Sequence, residues 1–393
     1  MIPKNAGLPS PVLVAAHVSR IYGPVQALAG YLKAAKADFT LVSLPFGFSG
    51  IPRASAERYS AGRLSAAEEG HPARGFEPLL WARDFFFVLG AGWRGSRQRP
   101  YQLGVGVDAL NAAALVLLRR LGRVEQVAFY VIDYTPRRFG NPVLNWAYHA
   151  FDRFAACNAD VVWNLSVRMQ EVRRAQGVAE ARNQVVPVGV DLDTVRPAPA
   201  AKVKRHTLLY MGALMDNKGL QLLVDAFPEV LKAVPKAELH IMGYGPFEAE
   251  LRRLADASPA RSRIKLHGGL PHAKLFKVVP TYGVALAPYL DDPGSYTWWC
   301  DPTKPKEYLA CGLPLIITKV PWIWERVADR AQPLGLAIDY ERQQLVAACV
   351  RLLKDGPYYR RCRANALRFA AGFSWRTIYD RAFAALPQAP KEA

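Results

Sequence analysis

The sequence predicts an α/β protein built from two doubly wound, Rossmann-like domains that face each other across a cleft. Three observations support this: the chain has 393 residues, apolar strand-length segments alternate with helical ones, and the alternation stops once and then restarts. A chain of this length exceeds what one hydrophobic core usually supports. Strands that are apolar on both faces and separated by helices are typical of parallel sheets covered on both sides.

The first half of the chain opens with a strand, a loop and a helix. Apolar runs predict the strand at 11–17 and the helix at 25–35, with the loop at 19–24 between them. Further strands are predicted at 39–44, 103–107, 127–132, 161–165 and 184–188, mostly separated by helical segments. This repeated alternation indicates an open parallel sheet.

A linker divides the chain near residue 200. Residues 197–204 are rich in proline, alanine and lysine and lack the periodicity of a packed element. Beyond them, strands are predicted at 206–211, 238–242, 264–267, 284–288 and 314–317, and helices at 220–234, 246–257 and 306–310. The predicted domains are therefore 1–196 and 197–373, with room for two substrates where the strands of each sheet end.

The chain is strongly basic, with a formal net charge of +18 and a pI of about 9.8. Such a charge favours polyanionic partners: nucleic acid, an anionic membrane surface or a phosphorylated substrate. No recognised nucleic-acid motif is present. The five cysteines have no metal-ligand spacing, and their odd number argues against a disulfide framework. A reducing cytoplasm is the expected compartment.

Any membrane contact is predicted to be peripheral. No stretch approaches the ~20 apolar residues of a spanning helix, and the N-terminus lacks the apolar core of a signal peptide. Residues 80–101 mix tryptophan and phenylalanine with arginine, which suits a membrane interface. The same mixture could stack nucleic-acid bases, and a core helix with solvated flanks is the third alternative.

Three strand-to-helix turns in the second half carry candidate chemistry. The first contains Gly212, Lys218 and Gly219, so backbone amides and a lysine point at the carboxyl edge of a strand, which suits a phosphate. The second, at 242–246, contains Gly245 and is predicted to place Pro246 at the first helical position. For both, a plain turn is the alternative.

The third turn, at 301–314, is the most informative. It places Lys304 and Glu307 three residues apart, on one face of a helix. A lysine there can neutralise a diphosphate, and a glutamate can accept hydrogen bonds from ribose hydroxyls. The alternative is an intrahelical ion pair worth only tenths of a kcal/mol.

In this order and spacing, the three turns resemble the nucleotide-binding half of the glycosyltransferase family 4 type. That family combines a strand-Gly-loop-Lys-Gly segment, a strand ending in Gly-x-Gly and a Lys-x-x-Glu-Tyr-Leu-Ala-x-Gly-x-Pro signature, and this sequence contains all three. The resemblance covers 208–318 and extends to 186–191, similar to the family's Pro-x-Gly-Val-Asp strand. Residues 373–375 are similar to the start of a final helix, 374–393, that packs back on the first domain.

The resemblance implies the GT-B fold and a donor of the uridine or guanosine diphosphate type. It implies that Lys218 and Lys304 hold the diphosphate and that Glu307 holds the ribose. Gly212 and Gly245 would let the donor lie against the backbone.

The sequence departs from the family pattern at Trp299. Many members have an acidic residue there, eight positions before the conserved glutamate, where it touches the transferred sugar. Asp291, Asp292 or Asp301 can replace it. Tyr296 and Asp301 ahead of the lysine resemble the loop of some inverting relatives, so the stereochemical outcome stays open.

An inverting transfer needs a base that removes the acceptor hydroxyl proton, and a carboxylate at the end of a strand is the simplest candidate. Asp133 follows the strand at 127–132. Arg137 and Arg138 can lower its pKa or bind an acceptor phosphate. A helix N-cap is the alternative role for Asp133.

His17, at the end of the first strand, is the second catalytic candidate, and Gly23 in the next loop joins the two arginines as the predicted acceptor site. Asp108 ranks third and is expected to cap the following helix. Asp191 and Asp193 match a metal-binding Asp-x-Asp pattern of another glycosyltransferase fold, but they lie where the family's domain-closing loop belongs. We therefore predict no metal and no cofactor beyond the nucleotide sugar.

The predicted function is transfer of a sugar from a nucleotide sugar to a lipid-linked or cell-envelope glycan, by a cytoplasmic protein held peripherally at the inner face of an anionic cell membrane. A basic nucleic-acid-binding protein and a GT-B nucleotide-sugar epimerase are the rival hypotheses.

Overall fold

The computed structural model describes residues 8–19, 22–46, 49–73 and 77–387. They form two compact units: the described residues up to Val188 together with those from Trp375 onward, and Gly189–Ser374. The predicted loop at 19–24 and the end of the predicted 374–393 segment lie partly outside the described residues.

The first unit is built on a largely parallel sheet. Its strands are β1 (Val12–Val18), β2 (Phe39–Pro45), β3 (Arg53–Ser60), β4 (Arg63–Pro72), β5 (Tyr101–Val107), β6 (Val124–Val131), β7 (Val161–Asn164) and β8 (Asn183–Val185). Across the sheet they follow the order β4-β3-β2-β1-β5-β6-β7-β8. The hairpin of β3 and β4 pairs antiparallel with β2 and was not predicted, because its strands mix charged and small residues and lack an apolar run.

Among the described residues, five helices cover this sheet before the chain enters the second unit. They are α1 (Pro24–Ala34), α2 (Glu77–Gly95), α3 (Ala109–Arg120), α4 (Pro142–Asn158) and α5 (Val167–Ala175). α3 packs on β5 and β6 and lies between α2 and α4. No helix in the described ranges is both long and apolar enough to span a bilayer.

The second unit has a fully parallel sheet. Its strands are β9 (Lys204–Met211), β10 (Glu238–Met242), β11 (Ile264–Leu266), β12 (Tyr282–Ala287), β13 (Leu315–Thr318) and β14 (Gly335–Ile338), in the order β11-β10-β9-β12-β13-β14. Its helices are α6 (Leu220–Ala233), α7 (Glu248–Ala257), α8 (His272–Val278), α9 (Tyr296–Trp299), α10 (Thr303–Ala310), α11 (Trp324–Val327), α12 (Arg342–Lys354) and α13 (Gly356–Ala371). The predicted fold class, two Rossmann-like α/β units, is confirmed.

The start of α7 differs from the sequence prediction. The N-cap of α7 is Phe247, so Pro246 lies two residues before the helix and does not occupy the predicted first helical position.

The last helix, α14 (Trp375–Ala384), returns to the first unit. There the hydroxyl of Tyr31 in α1 donates a hydrogen bond of 2.7 Å to Asp380 in α14.

Candidate functional site

Three loops meet at one edge of the sheet in the second unit. β10, β9 and β12 are adjacent and parallel, so the loops that follow their carboxyl ends lie side by side. These loops carry the three predicted motifs. Three motifs that are far apart in the sequence therefore lie at the same edge of the second sheet.

Tyr308 fixes α10 to the end of β9. Its hydroxyl donates to the Met211 carbonyl at 3.0 Å and accepts from the Met211 amide at 2.5 Å. Tyr308 is buried, and burial raises its pKa well above the usual value, so the hydroxyl keeps the proton that it donates. The first and third motifs are thus joined by a buried side chain that the sequence analysis did not single out.

Lys218 and Tyr296, both predicted donor-site residues, are in contact. The ammonium of Lys218 donates to the hydroxyls of Tyr296 and Thr297, each at 3.0 Å. It also lies 4.7 Å from the centroid of the Tyr296 ring and 5.5 Å from that of Tyr289. The lysine therefore joins the loop after β9 to the loop after β12, and its partners are hydroxyls and rings.

Lys304 and Glu307 lie in the first two turns of α10, on one face as predicted. The Lys304 ammonium lies 2.8 Å from Oε2 of Glu307, and the glutamate is largely buried while the lysine is partly exposed. No side chain caps the start of this helix, where Pro302 is the N-cap. Uncapped amides and a lysine at a helix start favour an anion there.

Asp301 does not have the role that the sequence suggested. Its Oδ2 is paired with the ammonium of Lys306, and its Oδ1 accepts a hydrogen bond of 2.9 Å from the indole of Trp322. Asp301 and Lys306 are both buried; burial lowers the pKa of Lys306, and the Asp301 carboxylate opposes that shift. Because both carboxylate oxygens are occupied, Asp301 is a structural residue under α10 and cannot replace the acid missing at position 299.

The rest of this loop leaves two acids at the surface. The Trp299 indole donates to the Pro293 carbonyl at 2.9 Å. Asp291 and Asp292 are exposed, and Asp292 accepts a hydrogen bond from the Gly294 amide. Of the three predicted replacements for the missing acid, these two are still open.

The glycines are explained by contacts inside the protein. A Cβ on Gly245 would lie 2.2 Å from the Leu214 carbonyl oxygen, and one on Gly243 would lie 1.8 Å from that of Gly212. A Cβ on Gly212 would meet the hydroxyl of Tyr210 at 3.0 Å. Gly243 and Gly245 therefore let the loops after β9 and β10 pack on each other. The expectation that Gly212 and Gly245 let the donor lie against the backbone stays a prediction.

In the first unit, His17 lies between two carboxylates. Its Nδ1 is 2.7 Å from Asp108 and its Nε2 is 3.2 Å from Asp84. Burial alone would lower the pKa of His17, but the two carboxylates outweigh burial and raise the pKa to about 10. His17 is therefore an imidazolium at neutral pH with both nitrogens occupied, and its predicted role as a base is corrected.

Asp108 caps α3, as predicted: its Oδ1 accepts from the Asn111 amide at 3.1 Å. Its φ of +81° is unusual for a residue with a side chain, and such strain is often found at functional sites. On the other side of His17, Asp84 lies 3.0 Å from Nε2 of His71. Asp84 and His71 were missed; the one available signal was an aspartate among the apolar residues of α2.

A cavity of about 230 Å³ lies beside His17. Gly23, Tyr22, Gln26 and Phe46 are among its lining residues, so it unites two predicted residues, His17 and Gly23. The side chain of Gln26 accepts from the Gly23 amide at 3.0 Å. The cavity lies at the carboxyl end of β1, where folds of this kind bind ligands.

Asp133 is paired with one of the two predicted arginines. The guanidinium of Arg138 donates to Asp133 Oδ2, and both side chains are partly exposed. Arg137 is exposed. The N-cap of α4 is Asn141, so Asp133 does not have that alternative role.

Asp191 and Asp193 form a turn. Asp191 accepts from the Asp193 amide at 3.0 Å and from the Thr194 hydroxyl at 2.7 Å. Within the described residues, no cluster of three or more His, Cys, Asp or Glu side chains is arranged to hold a metal ion. The structural interpretation of Asp191 fits its contacts.

The second unit is similar in sequence to known glycosyltransferases. Residues 205–355 match the sequence model of the family described as Glycosyl transferases group 1. The GDP-mannose-dependent alpha-(1-6)-phosphatidylinositol monomannoside mannosyltransferase of Mycobacterium tuberculosis is 33% identical over 175 residues, which are 42% of this chain and 36% of that protein. One component of the phosphatidylinositol N-acetylglucosaminyltransferase of Arabidopsis thaliana is 26% identical over 156 residues, 39% of this chain and 33% of that protein.

These matches therefore span about a third of the length of the curated relatives. A solved structure extends the likeness to nearly the whole chain. Anabaena Alr3699/HepE in complex with UDP is similar with a TM-score of 0.70 and 14% identity, over 96% of this chain and 99% of that one.

Proposed function

We propose that this chain transfers a sugar from a nucleoside-diphosphate sugar to a lipid-linked or cell-envelope glycan. The match of residues 205–355 to the family described as Glycosyl transferases group 1 and the similarity of the fold to Anabaena Alr3699/HepE support a glycosyltransferase. The observation that carries the proposal is that two lysines lie in segments after neighbouring strands of one sheet: Lys218 beside Tyr296 and Thr297, and Lys304 in the uncapped first turn of α10. A diphosphate matches this combination of ammonium groups and a helix start that no side chain caps.

The donor roles follow from this arrangement. Lys218 and Lys304 bind the diphosphate, and Glu307 accepts hydrogen bonds from the ribose once Lys304 turns toward the phosphate. One relative is named for GDP-mannose and the similar solved structure contains UDP. These names support a donor of the GDP or UDP type.

The acceptor is proposed to bind the first unit. The cavity beside His17 and Gly23 is one part of its site, and Arg137 and Arg138 are the other. Asp133 is the proposed base, released when an acceptor phosphate takes Arg138. Two relatives are named for phosphatidylinositol chemistry, which supports a lipid-linked acceptor reached at the inner face of the cell membrane.

The test is a screen of nucleotide sugars with a membrane extract as acceptor, read by mass spectrometry and by release of nucleoside diphosphate. Lys304→Ala should lower turnover about 10- to 100-fold, because a lost charge-assisted contact costs roughly 1.5–3 kcal/mol. The matched control is Lys232→Ala, an exposed lysine of α6. Absence of turnover with every donor, or equal turnover in both variants, would overturn the proposal.

The same assay separates the rivals. A GT-B epimerase would convert the nucleotide sugar without an acceptor, which product analysis detects. A nucleic-acid-binding protein would bind DNA or RNA with an affinity that falls steeply with salt, since phosphate contacts release counterions.

A further inference from the structure

The outward face of α4 is apolar and exposed. Val143 and Trp146 are 71% and 72% exposed, and Phe151 and Phe154 are also exposed. At about 100° per residue, these four side chains fall within one side of the helix. A surface helix normally turns such residues toward the core.

The inner face of α4 has the opposite character. Its buried residues are Asp152, Ala155 and Ala156, and Asp152 pairs with the buried guanidinium of Arg173. The helix therefore buries small residues and an ion pair, while Val143, Trp146, Phe151 and Phe154 lie outside. Folding of the unit does not account for this pattern, because none of those large side chains is buried by it.

The exposed face continues on the neighbouring helices. α3 lies between α2 and α4 on the sheet, so the three helices turn their outer faces the same way. Phe86 is 68% exposed, and Trp93 and Leu121 are exposed as well. We call this surface the α2–α4 face; its main members are Phe86, Trp93, Leu121, Val143, Trp146 and Phe154. The face includes the aromatic part of the 80–101 segment but extends well beyond it.

Arginines accompany the exposed rings. The Arg120 guanidinium lies 5.5 Å from the centroid of the Phe154 ring, and that of Arg123 lies 3.9 Å from the centroid of the Trp93 ring. Arg153 is exposed on α4. The one carboxylate of α3 and α4 is Asp152, which is buried, so the exposed charges of these two helices are positive.

We propose that the α2–α4 face docks onto an anionic phospholipid bilayer. Tryptophan and phenylalanine insert at the level of the headgroups, and arginines beside them bind lipid phosphates while their stems cover apolar surface. The net charge of +18 attracts the protein to such a surface. The inference rests on the lipid-linked acceptor of the proposed function. Docking itself needs no sugar donor, so membrane binding and donor binding can be measured separately.

The experiment is co-sedimentation of the full chain with vesicles of phosphatidylcholine alone and with a third of phosphatidylglycerol. The wild type should bind the anionic vesicles, and binding should fall with salt. The double variant Trp146→Ala/Phe154→Ala should bind at least about tenfold more weakly, because two rings no longer enter the interface. The matched control is Leu64→Ala, an exposed apolar residue of β4, which should bind like the wild type.

The depth to which tryptophan side chains insert is measured with brominated lipids, which quench the fluorescence of tryptophans that enter the bilayer. Trp146→Phe should keep the vesicle binding and lose part of the quenching. The inference would be overturned if the wild type failed to bind anionic vesicles, or if the double variant bound them as well as the wild type. It would also be overturned if the wild type were a dimer that bound no vesicles and that these substitutions dissociated, because the face would then be a contact between two copies of the chain. UDP and GDP binding, measured on the same samples, reports separately on the proposed function.

Discussion

The two candidate sites pair their carboxylates with different partners. In the second unit, Asp301 and Glu307 each meet a lysine of α10. In the first unit, Asp84 and Asp108 converge on a single histidine, His17. The buried members, Asp84, Asp301 and Glu307, each have an ionic partner, as buried charges require.

The difference shows what each region can bind. In the second unit Asp301 and Glu307 are each paired with a lysine of α10, and Lys218 makes no ion pair with any described residue, so its ammonium charge is left for a ligand. In the first unit two carboxylates share one imidazolium, so these three side chains carry one excess negative charge and fix the geometry beside the cavity. The lysines of the second unit suit an anionic ligand, and the carboxylates beside the cavity do not.

The largest expected effect breaks the buried pair of the second unit. Lys306→Met should lower the free energy of unfolding by about 3–5 kcal/mol, because it leaves the Asp301 carboxylate buried without its charge partner. Lys319→Met, which removes an exposed pair with Asp339, should cost less than about 1 kcal/mol. Chemical denaturation measures both; equal losses would show that the Asp301 pair is not special.

A smaller effect is expected where the two glycine loops pack together. Gly243→Ala should destabilise the protein by about 1–3 kcal/mol, since its Cβ would lie 1.8 Å from the Gly212 carbonyl oxygen. Gly356→Ala is the control, because the nearest atom, 3.3 Å away, is the end of the Arg360 side chain. If Gly243→Ala kept wild-type stability, the loops would have to be looser than described.

In the first unit, the expected effect is a pH dependence. The pKa of His17 is raised to about 10, from 6.5, so the folded state holds a proton that the unfolded state releases. This contribution is complete below pH 6.5 and is lost as the pH rises through about 10. The stability difference between wild type and His17→Gln should thus shrink steadily as the pH rises from 7 to 10. A pH-independent difference would contradict the charged network.

The smallest expected effect is on metal dependence. Chelation with EDTA should leave transfer activity unchanged, because the proposed diphosphate partners are lysines and amides. Activity that needs added Mg²⁺ or Mn²⁺ would show that a divalent cation shares the diphosphate with Lys218 and Lys304.

The sequence predicted the parallel sheets and the shared helix face of Lys304 and Glu307, because these depend on local periodicity. The joint donor role of Lys218, Tyr296, Lys304 and Glu307 stays a prediction. The sequence could not predict which acid is buried, since Asp291, Asp292 and Asp301 look alike until Lys306 and Trp322 are packed beside one of them.

The same limit applies to the first unit. Asp84 reaches His17 from α2, 67 positions away along the chain, and His71 of β4 joins the network through Asp84. No local pattern records such a contact. Likewise, the spacing of apolar residues in α4 does not predict which face of the helix is buried, because the ion pair of Asp152 with Arg173 lies on the buried face.

The most direct test of the central claim is calorimetric titration of UDP and of GDP into the wild type, Lys218→Ala, Lys304→Ala and Lys232→Ala. We expect one of the two nucleotides to bind the wild type and the Lys232 control equally, and to bind each of the other two variants about 10- to 100-fold more weakly. Binding of neither nucleotide, or equal binding by all four proteins, would contradict the assignment of Lys218, Lys304 and the start of α10 as a nucleoside-diphosphate site.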